Sequence, residues 1–256
     1  MDLALKGLKA IVTGGSKGIG HAIAQTLAAE GADVAICARD SAGVKQAVAD
    51  MANATRNGTR IIGAAVDVTD GPALQRWTRE VAAEFGGLDI IVANVSALSI
   101  GNDLASWHKG FETDLLGTVN LVDAALPFLE QSKAAAIVVI SSVSGREIDF
   151  AAGPYGTFKA ALIHYVQGLA YQLAPKGIRA NAVSPGNVYF AGGVWDMIER
   201  NDPKLFAESL ALNPMGRMAR PQEIANAVAF VASPAASFVS GTNLVVDGAL
   251  TRGVQL

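Results

Sequence analysis

The chain reads as one α/β domain, a doubly wound parallel sheet of about seven strands with helices on both faces. Three observations predict this. Short apolar, β-branched runs alternate with longer stretches of helical periodicity along the whole sequence. A glycine-rich segment, Thr13-Gly14-Gly15-Ser16-Lys17-Gly18-Ile19-Gly20, stands where the first run gives way to the first helical stretch. The length, 256 residues, fits a single α/β unit, and no Pro/Gly/Ser-rich linker or run of charge divides it, so one domain is expected over 1–256.

The elements follow in order. Ala10-Ile11-Val12 marks a strand at 9–13, followed by a helix at 18–30. Val34-Ala35-Ile36-Cys37 gives a strand at 33–38 and leads to a helix at 41–56. Ile61-Ile62 opens a strand at 61–66, and Asp67 and Asp70 are residues of the capping type before a helix at 70–85. Strands at 88–93, 135–141, 178–184 and 242–246 alternate with helices at 103–130, 153–174 and 221–232. Such alternation implies right-handed crossovers and a sheet covered on both faces. The irregular stretch between Pro185 and Pro221 holds two short helical patterns, Trp195-Asp196-Met197-Ile198 and Lys204-Leu205-Phe206. Insertions beyond the carboxyl ends of strands lie where these folds bind ligands, so residues near 187–215 are expected to form a substrate lid.

Composition narrows the class. A net charge of −3 and a pI near 5.6 give no basic footprint for nucleic acid. The single cysteine, Cys37, rules out an internal disulfide and belongs to an apolar strand, as a core residue does. His21, His108 and His164 are scattered without ligand spacing, so no metal site is expected. The N-terminus lacks a signal-peptide pattern and no apolar run reaches the ~18 residues of a membrane span, which makes cytoplasm the default. Charged residues are 17%, against a typical ~25%, and the apolar set is 51%. One subunit has difficulty hiding that much apolar surface, so an oligomer is expected.

The chemistry centres on Ser142, Tyr155 and Lys159. On a helix, residues four apart share a face, so the Lys159 ammonium can approach the Tyr155 phenol and stabilise its phenolate. Tyr155 then becomes a general acid/base, and a serine from the end of the preceding strand can hydrogen-bond the same substrate oxygen. Moving a proton on or off such an oxygen calls for a partner hydride. The glycine segment offers a place for its carrier, because Gly14, Gly18 and Gly20 permit a tight turn and let a pyrophosphate reach a helix N-terminus.

With these pieces in sequence, the chain resembles the short-chain dehydrogenase/reductase family from Leu8 to Gly248. The matching residues are Thr13-Gly14-x-x-x-Gly18-x-Gly20, Asp67-Val68, Asn94, Ser142, Tyr155-x-x-x-Lys159, Ser184-Pro185-Gly186 and Val246-Asp247-Gly248. The resemblance implies a Rossmann-type fold and an NAD(P)-dependent oxidoreductase acting on hydroxyl or carbonyl groups, with 3-oxoacyl thioester reductases among similar members. It implies that Ser142 orients the substrate oxygen, Tyr155 carries its proton, and Lys159 tunes Tyr155 and holds the nicotinamide ribose. Asp67 and Val68 would contact the adenine, Asn94 would brace the sheet, and Gly14, Ser16, Lys17, Gly18, Ile19, Gly20, Arg39, Pro185, Gly186 and Val188 would complete the cofactor site. The family commonly forms homotetramers through the helices that correspond to Leu115–Leu129 and Ala160–Leu173 here.

Three departures stand out. Val95-Ser96 replaces the usual small pair after Asn94, which can reshape the backbone near the nicotinamide. Asp114 replaces an asparagine whose main-chain carbonyl, in the family, links the catalytic lysine to solvent through a water. Its carboxylate would favour the Lys159 ammonium and oppose a Tyr155 phenolate. Phe190 replaces a threonine near the cofactor, and with Tyr189 and Trp195 it either lines an apolar substrate pocket or packs beneath the lid.

Cofactor choice follows from charge. The second strand ends in Ala38-Arg39, with no carboxylate at the position that usually holds a ribose 2′-hydroxyl, and Lys17 adds a second cation within reach of a 2′-phosphate. These point to NADP(H), with Asp40 directly after Arg39 as the opposing charge. The expected function is hydride transfer between NADP(H) and a ketone, 3-oxoacyl group or secondary alcohol. An NAD-dependent polyol or hydroxysteroid-type dehydrogenase and a non-catalytic dinucleotide sensor are the alternatives, and a sensor has no need of Ser142, Tyr155 and Lys159.

Overall fold

Seven strands pair in the order β3-β2-β1-β4-β5-β6-β7, all parallel, in the computed structural model, which describes residues 1–55 and 58–254. They are β1 (Lys9–Thr13), β2 (Asp33–Ala38), β3 (Ile61–Ala65), β4 (Ile90–Ala93), β5 (Ala136–Ile140), β6 (Arg179–Pro185) and β7 (Asn243–Val246). Strand residues alternate between two faces, and both faces are buried. Ile11, Ile91 and Ile137 enter one core, while Ala10, Val12, Val34, Ile90 and Val138 enter the other. This is why the inner strands read as continuous apolar runs rather than as alternating ones.

The first core is closed by α3 (Gly71–Phe85), α5 (Gly117–Leu129) and α6 (Pro154–Leu173), through Leu74, Val81, Leu121 and Val166. The second is closed by α1 (Gly18–Ala29), α2 (Ser41–Ala54) and α9 (Pro221–Ala232), through Ile23, Leu27, Met51 and Val228. Cys37 lies in the middle strands of the first core, where burial pushes its thiol up to about 12, a buried apolar residue rather than a nucleophile. Aspartates start several helices. Asp40 accepts the Ala42 and Gly43 N–H groups at α2, and Asp70 accepts the Ala73 N–H at α3. Asp67 does not cap; its carboxylate instead turns back onto the Thr69 N–H and hydroxyl. The sequence placed the end of α2 at Arg56, which lies outside the described residues.

One expected element is not continuous. The helix read at 103–130 is divided into α4 (Leu104–Gly110), a π-helical turn (Phe111–Leu116) and α5. The wider turn carries an extra residue, and it points the buried Asp114 inward. Gly110 and Gly117 flank it, because a Cβ at either would come within 2.8 Å of the Phe158 ring or of Val68. The apolar pattern runs through the irregularity, so periodicity alone reads one helix.

Between β6 and α9 the expected lid consists of α7 (Val194–Asn201) and α8 (Pro203–Ala211). Asp196 fastens its near end by accepting the Gly192 N–H at 2.8 Å and pairing with Arg200. Glu223 fastens its far end, with two bonds from Arg217 at 2.6 and 2.7 Å and one from the Arg220 N–H. The Arg217 guanidinium, aided by that N–H, holds the Glu223 carboxyl down at about 2 from its ordinary 4.5. A carboxyl lowered in the folded state stabilises fully above its unfolded value and loses that contribution as pH falls towards about 2. Because both side chains are partly exposed, solvent screens the pair and its contribution is small. Glu223→Gln is therefore expected to lower Tm by about 2–4 °C at pH 7 and by progressively less below about pH 4.5. Thermal scans at pH 7, 4 and 3 check this, and a deficit that does not shrink with acid would refute the charge argument.

Candidate active site

The carboxyl end of β5 brings Ser142 to α6. Ser141 Oγ donates to the Lys159 main-chain carbonyl at 2.8 Å, and the turn after Ser142 packs against the helix at two glycines. A Cβ on Gly145 would lie 2.7 Å from the Lys159 main chain, and one on Gly156 would lie 2.8 Å from the Ser144 carbonyl oxygen. Only glycine allows so close an approach. Tyr155 and Lys159 share one face of α6, as their spacing requires, and Lys159 Nζ lies 5.7 Å from the centre of the Tyr155 ring.

Lys159 is buried, with 2% of its side chain exposed. Its Nζ donates to the Ile140 carbonyl at 3.0 Å and lies 3.3 Å from Asp114 Oδ1. The family resemblance gives Asp114 a role through its main-chain carbonyl. In the structure that carbonyl accepts the Thr118 hydroxyl at 2.7 Å, and the side-chain carboxylate itself faces the lysine. Asp114 Oδ2 accepts the Ala97 N–H at 2.8 Å, whereas Oδ1 is paired by charge without hydrogen-bond alignment. Asp114 is buried rather than set on the surface of its helix.

The glycine loop lies at the carboxyl end of β1. Gly14 and Gly18 have φ of 66° and 58°, and a Cβ on Gly20 would lie 2.3 Å from the Gly14 carbonyl oxygen. Asn94 Nδ2 donates to the Thr13 carbonyl at 3.1 Å and approaches the Gly14 carbonyl at 3.4 Å, so it braces β4 to the loop. No side chain caps α1, which leaves its first N–H groups turned towards the loop.

A cleft of about 490 Å³ runs along these strand ends. It is lined by Gly14, Ser16, Lys17, Ile19, Gly20, Arg39, Asp67, Val68, Asn94, Pro185, Gly186 and Val188, together with Ser142, Tyr155 and Lys159. Gly18 is the one member of the expected binding set outside this lining. The Phe190 ring covers it, at 2.5 Å from where its Cβ would be. A second cavity of about 420 Å³ opens beside the first, with walls that include Ile148, Phe150, Trp195 and Leu212. Ser142 and Tyr155 line both cavities, so the two meet at these hydroxyls.

The aromatic group divides between the two roles left open by sequence. Trp195 lines the second cavity and meets Phe150 edge-on at 5.9 Å. Phe190 faces the long cleft, but Tyr189 belongs to the lid's own packing, against Phe206. The Tyr189 hydroxyl donates to Glu199 at 2.6 Å, and that bond pushes it up to about 12. Sequence reasoning missed Ser144 and the tail residues Leu250, Thr251 and Arg252, all of which line the second cavity. Ser144 repeats the serine pattern two residues past Ser142, which was a usable signal; the tail carried none. Among the described residues no group of His, Cys, Asp or Glu could hold a metal, and no helix is long and apolar enough to cross a membrane.

Residues 14–251 match the family described as Enoyl-(Acyl carrier protein) reductase. The chain belongs to the short-chain dehydrogenase/reductase family. It is an oxidoreductase of that family, 40% identical over 257 residues to isoepoxydon dehydrogenase of Penicillium expansum, a match spanning 100% of this chain and 99% of that protein. It is 36% identical over 250 residues to the 3-oxoacyl-[acyl-carrier-protein] reductase of Escherichia coli (strain K12), covering 96% and 98% of the two. A short-chain dehydrogenase from Burkholderia cenocepacia J2315, crystallised in complex with NADP, shares the fold with a TM-score of 0.84 and 32% identity, over 96% of this chain and 98% of that one.

Removing the Asp114 carboxylate should expose the cost of burying Lys159. Deleting one member of a buried ion pair typically costs about 3–5 kcal/mol. Asp114→Ala is expected to lose that much in urea unfolding, and Asp114→Asn distinctly less, because an amide oxygen can still accept the Ala97 N–H. A loss below about 1 kcal/mol in Asp114→Ala would show that the carboxylate is not the lysine's counter-charge.

Proposed function

We propose that the protein is an NADP(H)-dependent alcohol dehydrogenase or carbonyl reductase for an apolar substrate bearing a secondary hydroxyl or a ketone, 3-oxoacyl groups included. The observation that carries this reading is the position of Ser142 and Tyr155 in the lining of both cavities, with Lys159 buried behind them. The long cleft fits a dinucleotide. Its glycine loop leaves no room for side chains, and the uncapped start of α1 suits a pyrophosphate. When bound there, the nicotinamide gives or takes the hydride at the substrate carbon. Tyr155 passes the proton to or from the substrate oxygen, Ser142 hydrogen-bonds that oxygen, and Lys159 steadies the charge on Tyr155 from behind. Asp114 is the counter-charge beside Lys159 in its buried setting.

The preference for a 2′-phosphate rests on Lys17 and Arg39, both exposed at the cleft. Asp40, the opposing charge, lines the same cleft, but its carboxylate is engaged by the Ala42 and Gly43 N–H groups at the start of α2. The relative bound to NADP supports the same choice. We further propose a homotetramer built on the outer faces around α5 and α6, where Phe111, Leu116 and Tyr171 stand exposed, and a cytoplasmic location. Light scattering on the purified protein tests the assembly.

The decisive experiment is a screen of NADPH oxidation over ketones, 3-oxoacyl thioesters and quinones. Tyr155→Phe should reduce the rate on any active substrate by about 10²–10⁴-fold while NADPH binding, followed by fluorescence, stays close to that of the unaltered protein. More than a tenth of the original rate would sink the role given to Tyr155. Arg39→Asp should shift the NADPH-over-NADH preference by roughly tenfold or more, since it removes one phosphate partner and adds a repelling charge. Tighter binding of NADH than NADPH by the unaltered protein would overturn the cofactor assignment.

A further inference from the structure

Only one of the nine residues of α8 is buried, and it is a serine. Ser209 has 6% of its surface exposed and stands in the wall of the second cavity, away from the long cleft. A helical serine shielded from solvent ordinarily returns its hydroxyl to a carbonyl of the preceding turn. Ser209 does not. Among the described residues its hydroxyl has no hydrogen-bond partner, although its main-chain carbonyl accepts the Asn213 amide at 2.8 Å. The hydroxyl oxygen is not sealed inside the protein either, as that of Ser99 is, so the space it reaches is the cavity.

We infer that Ser209 is a specificity-determining residue that holds a second, uncharged oxygen of the substrate, a hydroxyl apart from the oxygen that reacts. The inference rests on the reading of Ser142 and Tyr155 as the catalytic hydroxyls, and it narrows the substrate class of that reading. A wholly apolar ligand filling the cavity strips water from the Ser209 hydroxyl and gives nothing back, whereas a ligand hydroxyl placed there can donate to it or accept from it. Sites built to bond a hydroxyl discriminate sharply against the analogue that lacks one, because their own polar group is left unpaired. Charge decides against a carboxylate in the same place. Glu147 and Asp149 line the cavity against the single guanidinium of Arg252, so an anionic ligand meets walls of net negative charge.

The test compares kcat/KM, with NADPH, for 4-hydroxycyclohexanone, cyclohexanone and 4-oxocyclohexanecarboxylate. If the screen finds a faster ketone, that ketone and its hydroxylated and carboxylated analogues replace them. The hydroxyketone is expected to lead cyclohexanone by about tenfold, and the carboxylate to fall below both. Ser209→Ala keeps α8, since alanine is the better helix former, and should cut the lead of the hydroxyketone to about threefold or less. A serine with only a structural role would lower kcat/KM for all three ketones together and leave their ratios in place, and that result overturns the proposal. So does an unaltered protein that takes cyclohexanone as readily as the hydroxyketone, or one that prefers the carboxylate. Turnover that survives in Tyr155→Phe sinks the functional reading instead, whereas an active enzyme whose ratios ignore Ser209 sinks this inference alone.

Discussion

The buried ammonium of Lys159 is the constraint around which the rest of the site is arranged. Taking an ion of this size out of water costs several kcal/mol, and the cost has to be met by partners in place before any ligand arrives. Ile140 supplies a carbonyl from the last residue of β5, and Asp114 supplies a negative charge from the π-helical turn. Neither can be offered without a particular backbone path. The sheet must end at Ile140 for its carbonyl to be free, and the helix after α4 must widen for Asp114 to face inward. Once these are satisfied, the position of Tyr155 on the same helical face follows from spacing alone.

The features legible in the sequence were those decided by near neighbours. The alternation of elements, the glycine loop, the Tyr155/Lys159 spacing and the bracing asparagine all depend on local geometry or on one strand-to-strand contact, and each is found where the residues place it. Features decided by distant contacts were not legible. Asp114 stood out as a chemical oddity, but the direction of its side chain depends on a π turn held by packing against Phe158 and Val68, far away in sequence. Phe190 was visible as a departure, yet its seat over Gly18 arises only when the lid folds back across the first helix turn. Sequence left Tyr189 open between lining a pocket and packing beneath the lid, and the nearby carboxylates of Glu199 and Asp196, which its hydroxyl meets, decide for the second.

The two cavities are built by different means, and this bears on what each can specify. The long cleft is formed by strand ends, a glycine loop and main-chain groups anchored to a sheet buried on both faces, so its shape is fixed by the core. The second cavity has walls from segments outside the sheet, namely the 146–150 loop, the lid and the C-terminal tail. Carboxylates fasten these segments. Glu147 accepts the Arg252 and Gly253 N–H groups at 3.0 Å, Asp149 holds Ser144 and Ala151, and Asp196 holds the start of the lid. Each of these acidic groups is engaged with the protein, which leaves an apolar face of Ile148, Phe150, Trp195 and Leu212 towards the second cavity. In the function proposed above, hydride and proton transfer fall to the rigid half of the molecule. The same proposal leaves the choice of substrate to the fastened segments, where a single carboxylate tie can be altered without disturbing the sheet.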